Sequence, residues 1–154
     1  MNNENVKERG TIKQLLNILI SYKKSNKQDA ILSYNSFHMY YEDKIGHYFG
    51  FIYQVLIFIK DAEEYKQIID SKKYAHLFRS LFSKSELSLL AYHCLGNIGS
   101  KKFKKLVEYF EFFEHLPVGS LDNNLVLKYN KSVFGNSNKW DNLIEKLKYP
   151  NQIN

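Results

Sequence analysis

The sequence predicts an all-α fold, a single-domain helical bundle of about six or seven helices. Three observations point there. Glycine and proline number only 7 and 2 in 154 residues, too few for a β protein with many turns. Apolar residues recur at helical spacing in segment after segment. The length suits one core, and 44% hydrophobic with 16% aromatic residues is enough to fill it. The expected unit is residues 1–154, with polar tails at both ends.

The first helix is expected over "TIKQLLNILISYKK" (11–24), where Ile12, Leu15, Leu16 and Leu19 share a face and lysines close the end. The segment 25–43 begins as a loop and becomes an aromatic-rich helix from about Gln28. "KIGHYFGFIYQVLIFIK" (44–60) is apolar on nearly every face. Its main stripe is Ile45, Tyr48, Phe49, Ile52, Leu56 and Ile59, with Phe51 and Phe58 on the other side, the pattern of a central, buried helix. Gly50 inside it costs about 1 kcal/mol against alanine, a cost that close packing by a neighbour would explain.

Asp61, with Glu64 three residues on, resembles a capping box and predicts a break over 61–70. "SKKYAHLFRSLF" (71–82) reads as amphipathic through Tyr74, Leu77, Phe78 and Leu81. Ser83 and Glu86 form an S-x-x-E box opening 83–97, whose apolar stripe is Leu87, Leu90, Ala91, Cys94 and Ile98. Residues 99–113 turn Phe103, Leu106, Val107 and Phe110 inward and Lys101, Lys102, Lys104 and Lys105 outward. Residues 115–124 read as a loop, and 125–135 show no decisive period. Residues 139–150 form a closing helix capped by Asn138.

One cysteine makes no internal disulfide, which fits a reducing compartment. The opening "MNNENVKERG" is polar and unlike a signal peptide. The longest apolar run, 48–59, falls short of the about 20 residues that span a bilayer. These features predict a cytoplasmic protein. The formal charge of +6 favours nucleic acid or an acidic membrane surface as partner. Yet the excess is lysine, and only Arg9 and Arg79 are arginines, the preferred readers of bases and phosphates. Nucleic acid is therefore a weak expectation.

His93 beside Cys94 suggests a thiol site, but adjacent helical residues point about 100° apart. Cys94 belongs to the apolar stripe and reads as core. Glu86, His93 and Asn97 align within about 40° on the same helix. That row is either a solvated face or a polar groove receiving Arg79 or His47, with an Arg79–Glu86 pair as one form of it. His47 shares a face with Gln54 and reads as a hydrogen-bonded core histidine. His38, His76 and His115 carry no local pattern, and no spacing indicates a metal site or a cofactor. No nucleophile elbow, H-E-x-x-H, P-loop or dinucleotide fingerprint occurs. The R-x4-H spacing of helical ribonucleases of the HEPN type is absent too. The "KKFKK" patch is a solvated face or a weak contact to phosphate or lipid.

"HYFGFIYQVLIFI", "KKYAHLFRSLFSKSELSLLAYHCL" and "GSKKFKKLVEYFEFFEHLP" together resemble the phage abortive infection protein family (AbiC-like). "KYNKSVFG" looks like its closing segment, so the resemblance spans about 38–135. The matching positions are Tyr48, Phe49 and Tyr53, then Tyr74, Arg79, Ser83, Glu86, Leu87, Leu90, Tyr92 and Leu95, then Phe103, Leu106 and Glu108. Two positions depart: Gly50 stands where the pattern has arginine, and His93 where it has asparagine. The resemblance implies antiphage defence, in which infection triggers arrest or death of the host cell, and implies no known reaction. The expected role is a cytoplasmic effector or interaction protein whose partner is an unidentified phage or host protein, with Ser83 and Glu86 as structural caps. Glu86, Asn97, Lys101, Lys102, Lys104 and Lys105 are the candidate binding residues. One rival is a divergent ribonuclease-type toxin using His47 or His93 as acid or base and Arg79 on phosphate. The other is a plain interaction module.

Overall fold

The computed structural model describes residues 2–26 and 29–150, with side chains over 11–25 and 29–150. The described residues form seven α-helices and no strand. In order they are α1 (Asn2–Asn26), α2 (Ala30–Glu64), α3 (Ser71–Arg79), α4 (Lys84–Leu95), α5 (Phe103–Tyr109), α6 (Asn123–Val126) and α7 (Asn138–Lys148). A short 3-10 turn, Lys131–Phe134, separates the last two. Buried residues from α1 to α7 join in one apolar cluster. The all-α, single-domain bundle expected from composition and periodicity is the fold.

The centre is α4, not the 44–60 stretch. Its capping box is closed: Glu86 N donates to Ser83 Oγ at 3.3 Å, and Ser83 N donates to Glu86 Oε2 at 2.7 Å. Every residue from Glu86 to Leu95 is buried, with α1, α2 and α5 packed around it. The apolar side chains there each contribute about 1.5–3 kcal/mol by leaving water. The polar ones need partners inside the core. Ser88 Oγ donates to Lys84 O at 2.8 Å, and Tyr129 OH donates to Ala91 O at 2.6 Å. Ile98, expected on the buried stripe, lies beyond the helix and is exposed.

The two helices expected across 28–60 meet at a kink within α2. Asp29 caps α2, its carboxylate accepting from Ile31 N at 2.8 Å and Leu32 N at 3.3 Å. Gln28, the expected start, lies outside the described residues. Only Tyr41, at φ −116° and ψ 17°, leaves helical geometry and kinks the helix. Ile45, Phe49, Ile52, Leu56 and Ile59 are buried as the stripe predicts. Phe51 and Phe58, however, are 63% and 72% exposed, so this is a surface helix with one inward face. Nor does it break at Asp61. Tyr65 N donates to Asp61 O at 2.8 Å within the last turn, and Lys66 at φ 56° turns the chain. The restart comes at Asp70, which accepts from Lys73 N at 3.0 Å.

The inward face of α3 also differs from expectation. Ser71, Ala75 and Arg79 are buried at i, i+4 and i+8, with Phe78 partly buried beside them. Tyr74, Leu77 and Leu81 face outward. The polar segment expected as an N-terminal tail is helical from Asn2. At the other end Ser137 occupies the N-cap position of α7, one residue before the expected Asn138, with no capping hydrogen bond from its side chain among the described residues. It is held by Trp140, which stacks on Phe134 at 4.1 Å and donates Nε1–H to Leu116 O at 3.0 Å.

Candidate functional site

Arg79, His47 and His93 do not converge. Arg79 is 4% exposed and clamps α3 to the turn after α5. Its guanidinium donates to Glu111 O at 3.0 Å, Glu114 Oε2 at 2.8 Å and His115 Nε2 at 3.2 Å, while Nε is buried without a hydrogen bond among the described residues. Glu111 has left-handed backbone, φ 51°, and Lys72 reaches its carboxylate at 2.6 Å. His76 Nε2–H donates to Phe110 O at 3.2 Å on the same turn. The carboxylate partner of Arg79 is thus Glu114, not Glu86. Glu86 is buried on α4 and accepts from Tyr48 OH at 2.8 Å. These contacts give Arg79 and Glu86 architectural positions.

A groove of about 690 Å³ lies between α2, the C-terminal end of α4 and the start of α5. From the residues singled out by sequence it holds His47, His93, Lys101 and Lys102. His47 is exposed at its rim, contrary to the core reading, because it falls outside the buried stripe of α2. Phe49, Tyr53 and Phe103 line the interior. Local pattern missed His38, Glu42, Asp43 and Gly46, which the length of α2 brings alongside His93. The i, i+4 spacing of His38 and Glu42 was the one available signal.

His93 is 4% exposed and sits among rings: stacked on Phe49 at 4.2 Å, edge-on to Phe103 at 5.6 Å and 5.4 Å from His38. Burial first, and the neighbouring His38 second, push its pKa down to about 3. Burial likewise lowers His38, against an opposing pull from Glu42. Burial raises the Tyr34 hydroxyl, which stays protonated. That hydroxyl lies 2.9 Å from His93 Nδ1. A buried hydroxyl must donate somewhere, so Tyr34 donates to Nδ1 and the neutral imidazole carries its proton on Nε2. Cys94 is fully buried, and burial raises its thiol well above the ordinary value, which leaves it unreactive.

The four lysines of "KKFKK" divide. Lys104 pairs with Glu108 at 2.9 Å and lies 5.7 Å from the centre of the Tyr129 ring. Lys101, Lys102 and Lys105 are exposed and make no ion pair among the described residues. Asn97 is exposed, and its backbone N–H donates to Asn35 Oδ1 at 2.9 Å. Gly99 closes the groove's wall where the chain crosses α4, since a Cβ there would lie 2.2 Å from His93 O. Gly50 is the reverse case: a Cβ there meets nothing within 4 Å, so it opens the groove and accommodates no close neighbour.

The profile of the family described as "Putative phage abortive infection protein" matches residues 40–121, just over half of the chain. The chain belongs to this family. No curated protein and no solved structure gives a significant match. The family region contains every residue lining the groove except His38, together with Arg79 and its partners. It ends before the "KYNKSVFG" segment that the resemblance had included. Gly50 and His93, the two positions at which the resemblance sets this chain apart, both line the groove. Among the described residues no helix is long and apolar enough to cross a membrane, and no group of His, Cys, Asp and Glu side chains could hold a metal ion.

Proposed function

We propose that this chain serves antiphage defence by abortive infection as a cytoplasmic helical effector that acts by binding. Its working surface is the groove between α2 and the α4–α5 junction. Family membership supports antiphage defence in general. The observation that carries the finer reading is the coincidence of the family region with the lining of the groove. The separation of Arg79 from His47 and His93 speaks against the ribonuclease reading that joined them.

The test is phage challenge of cells expressing the chain. Wild type is expected to lower phage yield together with survival of infected cells. Gly50→Leu, which fills the groove from an open position, is expected to abolish this at equal protein level. Unchanged protection by Gly50→Leu sinks the groove as working surface.

A second reading, a plain interaction module, is favoured by two exposed features. Lys101, Lys102 and Lys105 make no ion pair among the described residues, and Phe51, Phe58, Leu77 and Leu81 present an apolar band on α2, α3 and the turn after α3. Exposed apolar surface of this kind marks partner contacts. Loss of protection in Lys105→Glu with full protection in Gly50→Leu would select this reading.

A further inference from the structure

We propose that the groove is a site for a free nucleotide, with the base against its aromatic interior and the phosphate at Lys101 and Lys102. Glu42 and Asp43 face the N–H groups of the base. This deepens the reading of the groove as working surface and rests on it for its biological use.

The interior suits a flat ring. Tyr53 stands edge-on to Phe103 at 5.4 Å, and Phe103 edge-on to His93 at 5.6 Å, so ring edges and faces line one side. Aromatic ligands pack against such surfaces in offset or edge-on geometry, whatever the base. The volume, about 690 Å³, lies within the range of about 300–1,000 Å³ typical of small-molecule sites.

Two buried polar rings also lack partners on this side. Tyr34 occupies Nδ1 of His93, which leaves Nε2–H to be presented to a ligand. His38, 6% exposed, lines the groove and makes no hydrogen bond among the described residues. His93 thus offers a donor, and a neutral His38 offers one donor and one acceptor, the complement of a base edge.

The charges give the groove a direction. Lys101 and Lys102 lie beside Tyr53, near a further basic group, Lys60. Glu42 and Asp43 lie about ten residues back along α2, roughly 15 Å away at the helical rise. Phosphate is drawn to one end and repelled from the other. Carboxylates at the far end can accept from the N–H groups of a base, which lies beyond the sugar as seen from the phosphate. They also oppose a continuing strand, which needs a basic track on both sides. The fit is to a mononucleotide rather than to RNA.

Titration calorimetry of the full chain with AMP, ADP, ATP, GMP and UMP tests this, beside adenosine, inorganic phosphate and a single-stranded RNA hexamer. Variants are Gly50→Leu and the double change Lys101→Glu, Lys102→Glu, with circular dichroism confirming the fold. Wild type is expected to bind at least one nucleotide with Kd below about 1 mM. Adenosine and both variants are each expected to lose about tenfold or more. The proposal is overturned if no nucleotide binds, if both variants bind like wild type, or if the RNA hexamer binds more tightly than every nucleotide. If Gly50→Leu loses the nucleotide yet protects cells fully, the site stands and its role in defence falls. If Gly50→Leu loses protection while wild type binds no nucleotide, the groove's role stands and the ligand class falls.

Discussion

The Tyr34 hydroxyl donates to Nδ1 of His93 across 2.9 Å, tying α2 to α4 inside the core. The bond fixes the tautomer of an imidazole that burial keeps neutral far below the usual histidine range. Its consequences for pH follow from proton counting. With a native pKa of about 3 against an ordinary 6.5, the unfolded chain binds the extra proton first as pH falls. The contribution of neutral His93 is complete above about pH 6.5 and is lost between there and about pH 3. The slope is up to about 1.4 kcal/mol per pH unit. His38, also lowered by burial, acts in the same direction. Urea denaturation at pH 7.5, 6 and 5 should show this slope in wild type and a shallower one in His93→Asn. Equal slopes would exclude His93 as the source.

Arg79 is predicted to matter for folding. Arg79→Ala removes three hydrogen bonds from a buried guanidinium and releases the left-handed turn at Glu111. Glu114 keeps some solvent access, which limits the penalty on the carboxylate left behind. The expected loss is about 2–3 kcal/mol. Any defect in phage protection should follow the amount of folded protein and recover at lower temperature. A fully folded, inactive Arg79→Ala would refute this account.

Gly50→Ala should stabilise the protein. The position is inside α2, exposed, and clear of neighbours to 4 Å. The helix-propensity gain is about 1 kcal/mol, read as a raised denaturation midpoint with unchanged slope. A lowered midpoint would mean that the position is packed after all.

The two faces of α3 should respond unequally. Leu77→Gln changes an exposed side chain and should stay within about 0.5 kcal/mol of wild type. Ala75→Leu forces bulk into a fully buried position and should cost about 1–3 kcal/mol. Thermal melts of the two variants decide it.

Much of the helical scaffold was legible because it is local. The Ser83–Glu86 box and the stripe Ile45, Phe49, Ile52, Leu56, Ile59 are short-range patterns whose geometry is set within a few turns. The failures have tertiary causes. Asp61 and Glu64 have cap spacing, but the inner face of α2 stays packed through Ile59 and Ala62, so both residues remain inside the helix, which ends at Glu64. On α3 the apolar Leu77 and Leu81 lose the inward face to small Ala75 and to Arg79, whose length lets it reach Glu111 and Glu114. His47 and His93 were visible as polar groups in apolar helices. Their meeting with His38, Glu42 and Lys101 depends on how α2 crosses α4, which no local spacing encodes.

The stacked pair Phe134–Trp140 gives the molecule an optical handle. Trp140 is the single tryptophan, fully enclosed and hydrogen-bonded to Leu116 O, and it stands 19 positions beyond the end of the family region. Its emission therefore reports the docking of α7 and nothing else, while far-ultraviolet dichroism reports the long helices. Coincidence of the two signals on heating would show that the segment beyond residue 121 melts in concert with α4. An earlier red shift would show a C-terminal clasp that opens first.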